Sequence, residues 1–254
     1  MAVKPLVTIA VPSYNQGRFL EAALTSIFVQ NFPAEIYVND GGSTDESVEI
    51  ICRYADRLAG WRSHRDNGQS AAINEGIARG SAPYVAWLNS DDLLEPGALR
   101  RLLCALEQFP QAPAAYGRVW NQTDEGVRTP VWVEPFSERR LALRCIISQP
   151  GTLMRRTAWE AVGGLDDRLR MAMDYDLWWR LYRGFAPLAF VNEFVATNRD
   201  HKGTKTNTQR VLHYREAIAI VRKYHGRVPL KWWLAQPYAV WMKALANWIK
   251  QAQH

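Results

Sequence analysis

The chain has 254 residues, enough for one large α/β domain with an appendage, and its 48% hydrophobic content supports a real core and excludes a disordered chain. Its formal charge of +6, from 31 Lys and Arg against 25 Asp and Glu, is compatible with a solvated surface, a phosphate-bearing substrate or an anionic lipid surface. Cys52, Cys104 and Cys145 are odd in number and lack metal-ligand spacing, which argues against a disulfide or zinc framework and for a reducing cytosol.

In chain order, residues 7–11 form a β-branched run closed by Pro12, after which Leu20, Leu24, Ile27 and Phe28 recur at helical spacing. Residues 35–38 read as a second strand. Ser43 with Glu46 three residues on has the form of a capping box for a helix carrying Ile51, Tyr54 and Leu58. A short strand at 61–64, a helix at 70–79 and a strand at 84–88 follow, then a helix with Leu99, Leu102, Leu103 and Leu106 as its buried stripe. Repeated β-α units predict a mixed, mainly parallel sheet flanked by helices. Right-handed crossovers bring the loops after the strands to one edge, where open α/β sheets bind ligands. From about residue 112 the strands shorten (114–120 and 127–133, around a turn at Asp124-Glu-Gly126), as in an extension of the same sheet. Beyond residue 206 the pattern is helical. No signal peptide is legible and no apolar run is long enough to span a bilayer, so a cytoplasmic protein is expected, soluble or peripheral on a membrane. No zinc-finger, helix-turn-helix or RNA-recognition signature marks nucleic acid as a partner.

Three polar clusters fall where strands end: Pro12-Ser-Tyr-Asn15, Asn39-Asp-Gly-Gly-Ser-Thr-Asp45 and Asn89-Ser-Asp-Asp92. Taken singly, the first two are ordinary turn chemistry. Adjacent carboxylates at a buried strand end repel each other unless a cation or donor groups balance them, and hard oxygen ligands suit Mg2+ or Mn2+. The plainer alternative is that Asp92 caps the helix starting near Pro96. Asp174, ahead of Leu177, Trp178 and Leu181, has the position of an N-terminal cap favourable to the helix dipole. The basic segment 201–206 reads on composition as a solvated loop.

The stretches 7–20 (VTIAVPSYNQGRFL), 36–45 (IYVNDGGSTD), 66–92 (DNGQSAAINEGIARGSAPYVAWLNSDD), 149–166 (QPGTLMRRTAWEAVGGLD), 173–181 (MDYDLWWRL) and 201–206 (HKGTKT) together resemble the inverting family 2 glycosyltransferases of GT-A fold. The resemblance implies a GT-A domain over 1–206, with a nucleotide-binding half at about 1–110 and an acceptor half at about 111–206, and a helical C-terminal extension over 207–254. It implies a nucleoside-diphosphate-sugar donor, usually UDP- or dTDP-linked, and a carbohydrate or lipid-linked acceptor, as in cell-surface polysaccharide or glycolipid synthesis. By position, Pro12, Tyr14 and Asn15 would line the nucleotide pocket, and Asp40 would take a hydrogen bond from the base. Asn67, Gly68 and Ala71 would lie near the ribose or sugar. Asp91 and Asp92 would hold the ribose and a Mn2+ or Mg2+ ion, with Asn89 in the place of a leading carboxylate. Asp174 would be the general base, with Met173 replacing the commoner Glu and Asp176 as second choice. His201 and Lys205 would sit over the diphosphate, and Gln149 and Pro150 on the sugar and acceptor side. A nucleotidyltransferase or a non-catalytic nucleotide-sugar-binding module are the rival readings.

Leu234, Tyr238, Trp241, Leu245 and Trp248 share one helical face, with Lys243, Asn247 and Lys250 opposite. This helix is expected to pack on its own domain or in a homodimer, or to dock on an anionic inner membrane.

Overall fold

The computed structural model describes residues 4–201, 203–204 and 209–237. Lys205 and, apart from Leu234, the whole C-terminal face named above lie outside the described residues. The strands are β1 (Val7–Ser13), β2 (Ala34–Asp40), β3 (Gly60–Ser63), β4 (Tyr84–Trp87), β5 (Leu93–Leu94), β6 (Ala114–Thr123), β7 (Arg128–Pro130), β8 (Thr152–Arg155) and β9 (Ala189–Asp200). The helices are α1 (Gly17–Phe28), α2 (Ser47–Arg53), α3 (Gln69–Arg79), α4 (Ala98–Gln108), α5 (Glu138–Leu143), α6 (Arg156–Ala161), α7 (Met173–Gly184), α8 (Arg210–His225) and α9 (Leu230–Pro237).

One sheet runs β3-β2-β1-β4-β8-β6-β9-β5, with β7 added beside β6. Its first four strands are parallel, as the β-α rhythm predicts. From β4 onward β8 and β5 run antiparallel to their neighbours, and among the described residues only the β6–β9 pair is parallel. β1 is buried at all seven positions because helices cover both faces of the sheet. Its alternate residues Val7, Ile9 and Val11 join a layer with Leu20, Leu24, Ile51, Leu99 and Leu102. On the other face Ala10 joins a layer built from Ile73, Ile77 and the tryptophans 87, 159, 178 and 179. Trp87 stacks at 6.1 Å on Trp178 and lies 6.0 Å from Trp159, so much of the high tryptophan content is core. Gly76 lets α3 lie tight on β1, since a Cβ there would come within 2.9 Å of that of Ala10.

The capping box is not formed. The Ser43 hydroxyl is drawn instead to the Asp40 carboxylate, α2 starts only at Ser47, and it ends at Arg53, before Tyr54 and Leu58. Asp92 caps nothing either, because α4 starts at Ala98 behind a left-handed Gly97. The chain switches direction across the sheet at β1, with β2 and β3 on one side and β4 on the other, and a crevice opens at the carboxyl ends of these strands. No helix among the described residues is long and apolar enough to cross a membrane.

Candidate active site

The crevice is a cleft of about 1370 Å³, floored by the ends of β1, β2 and β4 and closed on its far side by the turn before α7 and by α8 and α9. Pro12 and the exposed Tyr14 line its β1 edge, with Gly41 and Gly42 beside them. Asn15 is turned away from it and locks two loops together. In left-handed conformation (φ 51°), it donates its N–H to Ser43 Oγ at 2.7 Å, and its side-chain oxygen accepts from the Thr44 N–H at 2.8 Å. Asp40 is fully buried and does not line the cleft. Its carboxylate accepts from the Gly42 and Ser43 N–H groups and from the Ser43 and Ser63 hydroxyls. Three of these bonds go to Oδ2 and one to Oδ1.

Asn67 and Gly68 form the lip at the start of α3. Gly68 has φ 106°, a conformation that favours glycine, and a Cβ there would come within 2.7 Å of Arg170 Nη1. One residue of register separates expectation from geometry at Ala71: the cleft wall is Ala72, whose carbonyl accepts from Asn39 Nδ2 at 2.7 Å.

At the end of β4, Asp91 and Asp92 take different environments. Asp92 is 2% exposed; its oxygens accept from Asn89 Nδ2 at 3.0 Å and the Arg199 N–H at 3.3 Å. Burial first, then the Asp91 charge, push its carboxyl well above the usual range. Asp91 is the more open of the two and its Oδ2 lies 3.2 Å from His201 Nε2. His201 is held by Phe19 at 4.6 Å between ring centroids and by the Gly203 N–H, which donates to its Nδ1 at 3.2 Å. Asn89 is the hub beneath them. It donates to Asp92 and, at 3.2 Å, to Gln149 Oε1, and accepts from Gln69 Nε2 at 2.7 Å. Gln149 in turn donates to the Trp87 carbonyl at 2.8 Å, and Pro150 lines the cleft beside it.

On the far wall Asp174 sits in the first turn of α7 and faces the cleft with Met173 and Tyr175. Burial pushes its carboxyl up to about 6, and repulsion from Glu216 adds to the effect against the opposing N–H bond from Tyr175 at 2.8 Å. It does not cap α7 in the expected sense, because the N-cap position is Ala172. Asp176 points the other way, into a buried pair with Arg180 at 2.6 Å and a bond from the Tyr224 hydroxyl at 2.9 Å. That removes it from the cleft chemistry.

Among the described residues no three His, Cys, Asp or Glu side chains gather as a metal cage. Asp91 lines the cleft with a hard carboxylate oxygen, which fits Mg2+ or Mn2+ held by few protein atoms with phosphate oxygens and water completing the shell, and His201 Nε2 lies against that carboxylate at 3.2 Å. Arg199, Gln69, Arg170 and Glu216 were not singled out in the sequence, although all four touch the site's framework. Only Arg199 left a signal, as a basic residue two positions before His201.

The solved structure of S. aureus TarS 1–349 in complex with UDP-GlcNAc superposes with a TM-score of 0.70 at 15% identity, over 94% of this chain and 73% of that one. The mannosyltransferase PcManGT from Pyrobaculum calidifontis, in complex with GDP-Man and Mn2+, superposes with a TM-score of 0.65 at 19% identity, over 100% of this chain and 77% of that one. At these identities they show a shared fold. An uncharacterized glycosyltransferase of Rickettsia prowazekii is 26% identical over 214 residues, 80% of this chain and 67% of that protein. A chondroitin synthase of Escherichia coli is 25% identical over 211 residues, 82% of this chain and 30% of that much longer protein. The family model of Glycosyl transferase family 2 matches residues 8–160, well over half of the chain, and the protein belongs to that family.

Proposed function

We propose that the protein is an inverting glycosyltransferase that moves a sugar from a nucleoside-diphosphate sugar, UDP- or dTDP-linked, to an acceptor hydroxyl on a carbohydrate or lipid-linked chain. One observation carries this reading: a single cleft holds Asp91, backed by His201 at 3.2 Å, on one wall and, on the other, a carboxyl pushed up to about 6. A general base works best when its pKa lies near the operating pH, and Asp174 meets that condition. Relatives and neighbours support the donor class: TarS was solved with UDP-GlcNAc, PcManGT with GDP-Man and Mn2+, and chondroitin and hyaluronan synthases match in sequence.

In this reading the nucleotide lies between Tyr14, Gly41 and the lip at Asn67 and Gly68, with its diphosphate toward Asp91 and His201. A Mn2+ or Mg2+ ion, held by Asp91 with phosphate oxygens and water, would offset the negative charge gathering on the leaving diphosphate. Arg199 adds a fixed positive charge behind the acidic pair, and Lys205 is assigned to the same diphosphate. Gln149 and Pro150 border the sugar. Asp174 takes the proton of the acceptor hydroxyl as its oxygen attacks the anomeric carbon from the opposite face. One displacement with one base inverts the anomeric configuration. Binding both reactants in one cleft supplies proximity.

The test is a panel of UDP-, dTDP- and GDP-sugars with Mn2+, read by calorimetric binding and by release of nucleoside diphosphate. Micromolar to millimolar binding of at least one is expected, and binding of none sinks the donor assignment. Binding without turnover on any acceptor, with Asp174→Asn indistinguishable from wild type, would favour a non-catalytic module. Pyrophosphate release from a nucleoside triphosphate would favour a nucleotidyltransferase.

A further inference from the structure

The segment that delivers Asp174 to the cleft has no capping side chain of its own. Residues 170–172 lead directly into α7, whose N-cap, Ala172, has no side chain that can accept a hydrogen bond. The N–H groups of this lead-in, residues 170–172, are satisfied from elsewhere in the chain. Glu216, buried on α8, accepts from the Arg170 N–H at 3.0 Å through one oxygen and from the Met171 and Ala172 N–H groups, each at 2.9 Å, through the other. Three charge-assisted bonds from consecutive amides to one carboxylate pin a turn far more firmly than neutral bonds would. The clamp is backed by packing, since Ala217, Ile218 and Val221 of α8 are buried in the same apolar layer as Leu177 and Trp178 of α7.

We infer that Glu216 is a positioning residue: through residues 170–172 it sets the place of the Asp174 carboxylate in the cleft and makes α8 an integral part of the active site. The inference rests on the assignment of Asp174 as base. It does not restate that assignment, because Glu216 reaches neither donor nor acceptor and acts only through the backbone. A second consequence is electrostatic. Around Asp174 stand Glu216 and His213 of α8, Cys145 and Arg144 after α5, Arg170 on the preceding turn, and Lys231 of α9. Burial holds His213 low and Cys145 high, so both are neutral near pH 7. The anion in this set is Glu216, and removing it lowers the Asp174 pKa.

Two variants separate geometry from charge. Glu216→Asp keeps the charge but retracts it from the amides; Glu216→Gln keeps the length but loses the charge and turns an NH2 group toward an N–H donor. Both are expected to lower kcat about 10- to 100-fold per folded molecule, with nucleoside-diphosphate affinity in Mn2+ unchanged within about two-fold by the same magnitude scale. Only Glu216→Gln should move the acidic limb of the pH–kcat profile to lower pH. Two measurements need no substrate: carbon NMR titration of the Asp174 carboxyl, and amide hydrogen exchange at Met171 and Ala172. Asp174 should titrate near 6 in the wild type, lower in Glu216→Gln, and the two amides should exchange faster in both variants. If Glu216→Gln does not fold, Glu216→Asp and the exchange data decide. Unchanged kcat and exchange in a folded variant overturn the proposal. So does a loss of activity that merely tracks the folded fraction in a thermal melt. If the wild type binds no nucleotide sugar, the glycosyltransferase reading fails, while the NMR and exchange results still decide whether Glu216 governs Asp174.

Discussion

Asp174 is where burial and charge are most directly opposed. Its carboxyl is raised from an ordinary 3.8 to about 6, so the native state holds the proton more tightly than the unfolded chain. Its contribution to stability is therefore intact below about pH 4 and lost as pH rises through about 6. Asp174→Asn should stabilise the fold by about 1–3 kcal/mol at pH 8, with the gain vanishing near pH 4, as paired thermal melts would show. The same variant should cut kcat by about 10²–10⁴-fold, and wild-type turnover should rise through pH 6. Asn89 makes the complementary case. A carboxylate at this position could not donate to Asp92 and Gln149 as the amide does. Asn89→Asp is thus expected to cost about 1–3 kcal/mol at neutral pH, less in acid where protonation restores a donor, by urea denaturation at both pH values. From sequence the Asn was only a departure from a motif. Its reason lies in Gln69 and Gln149, which are near it only after folding.

At the scale of elements, α7 shows how two acids two residues apart acquire unrelated roles. Roughly 200° of helical rotation separates them, so Asp174 meets the cleft while Asp176 meets Arg180 and the Tyr224 hydroxyl of α8. Removing one partner of a buried ion pair leaves the other charge uncompensated. Asp176→Ala should therefore destabilise by about 3–5 kcal/mol, lowering the melting temperature without weakening nucleotide binding by the folded protein. The helical spacing around Leu177, Trp178 and Leu181 made α7 legible, and with it the separation of the two acids. The capping box at Ser43 misled because a local pattern competes with nearby side chains. Asp40 lies three residues away and accepts from the Ser43 hydroxyl and from the main-chain N–H groups of Gly42 and Ser43.

Across the whole molecule, the described C-terminal helices close the far wall of the cleft. Trp232 of α9 is 7% exposed, donates from its indole N–H to the Ala142 carbonyl at 2.8 Å, and lies 6.2 Å from the Tyr175 ring. Trp232→Ala should cost about 3–5 kcal/mol, measurable as a shifted denaturation midpoint, and should loosen the wall that carries Asp174. The alternation of strand and helix, the apolar layers and the grouping of three polar clusters at one sheet edge were determined by the sequence itself, because periodicity and turn chemistry are local properties and right-handed crossovers leave little choice of topology. What only the tertiary structure decided is which of those polar atoms remain available. Asp40 is buried and bonded by its own loop and by Ser63 of β3, Asp92 is buried behind Asn89 and Arg199, and Asp91 is left beside His201. Glu216 reaches the turn before Asp174 from more than forty residues away. Hydrogen-bond saturation and burial depend on partners distant in the chain, and no local pattern records them.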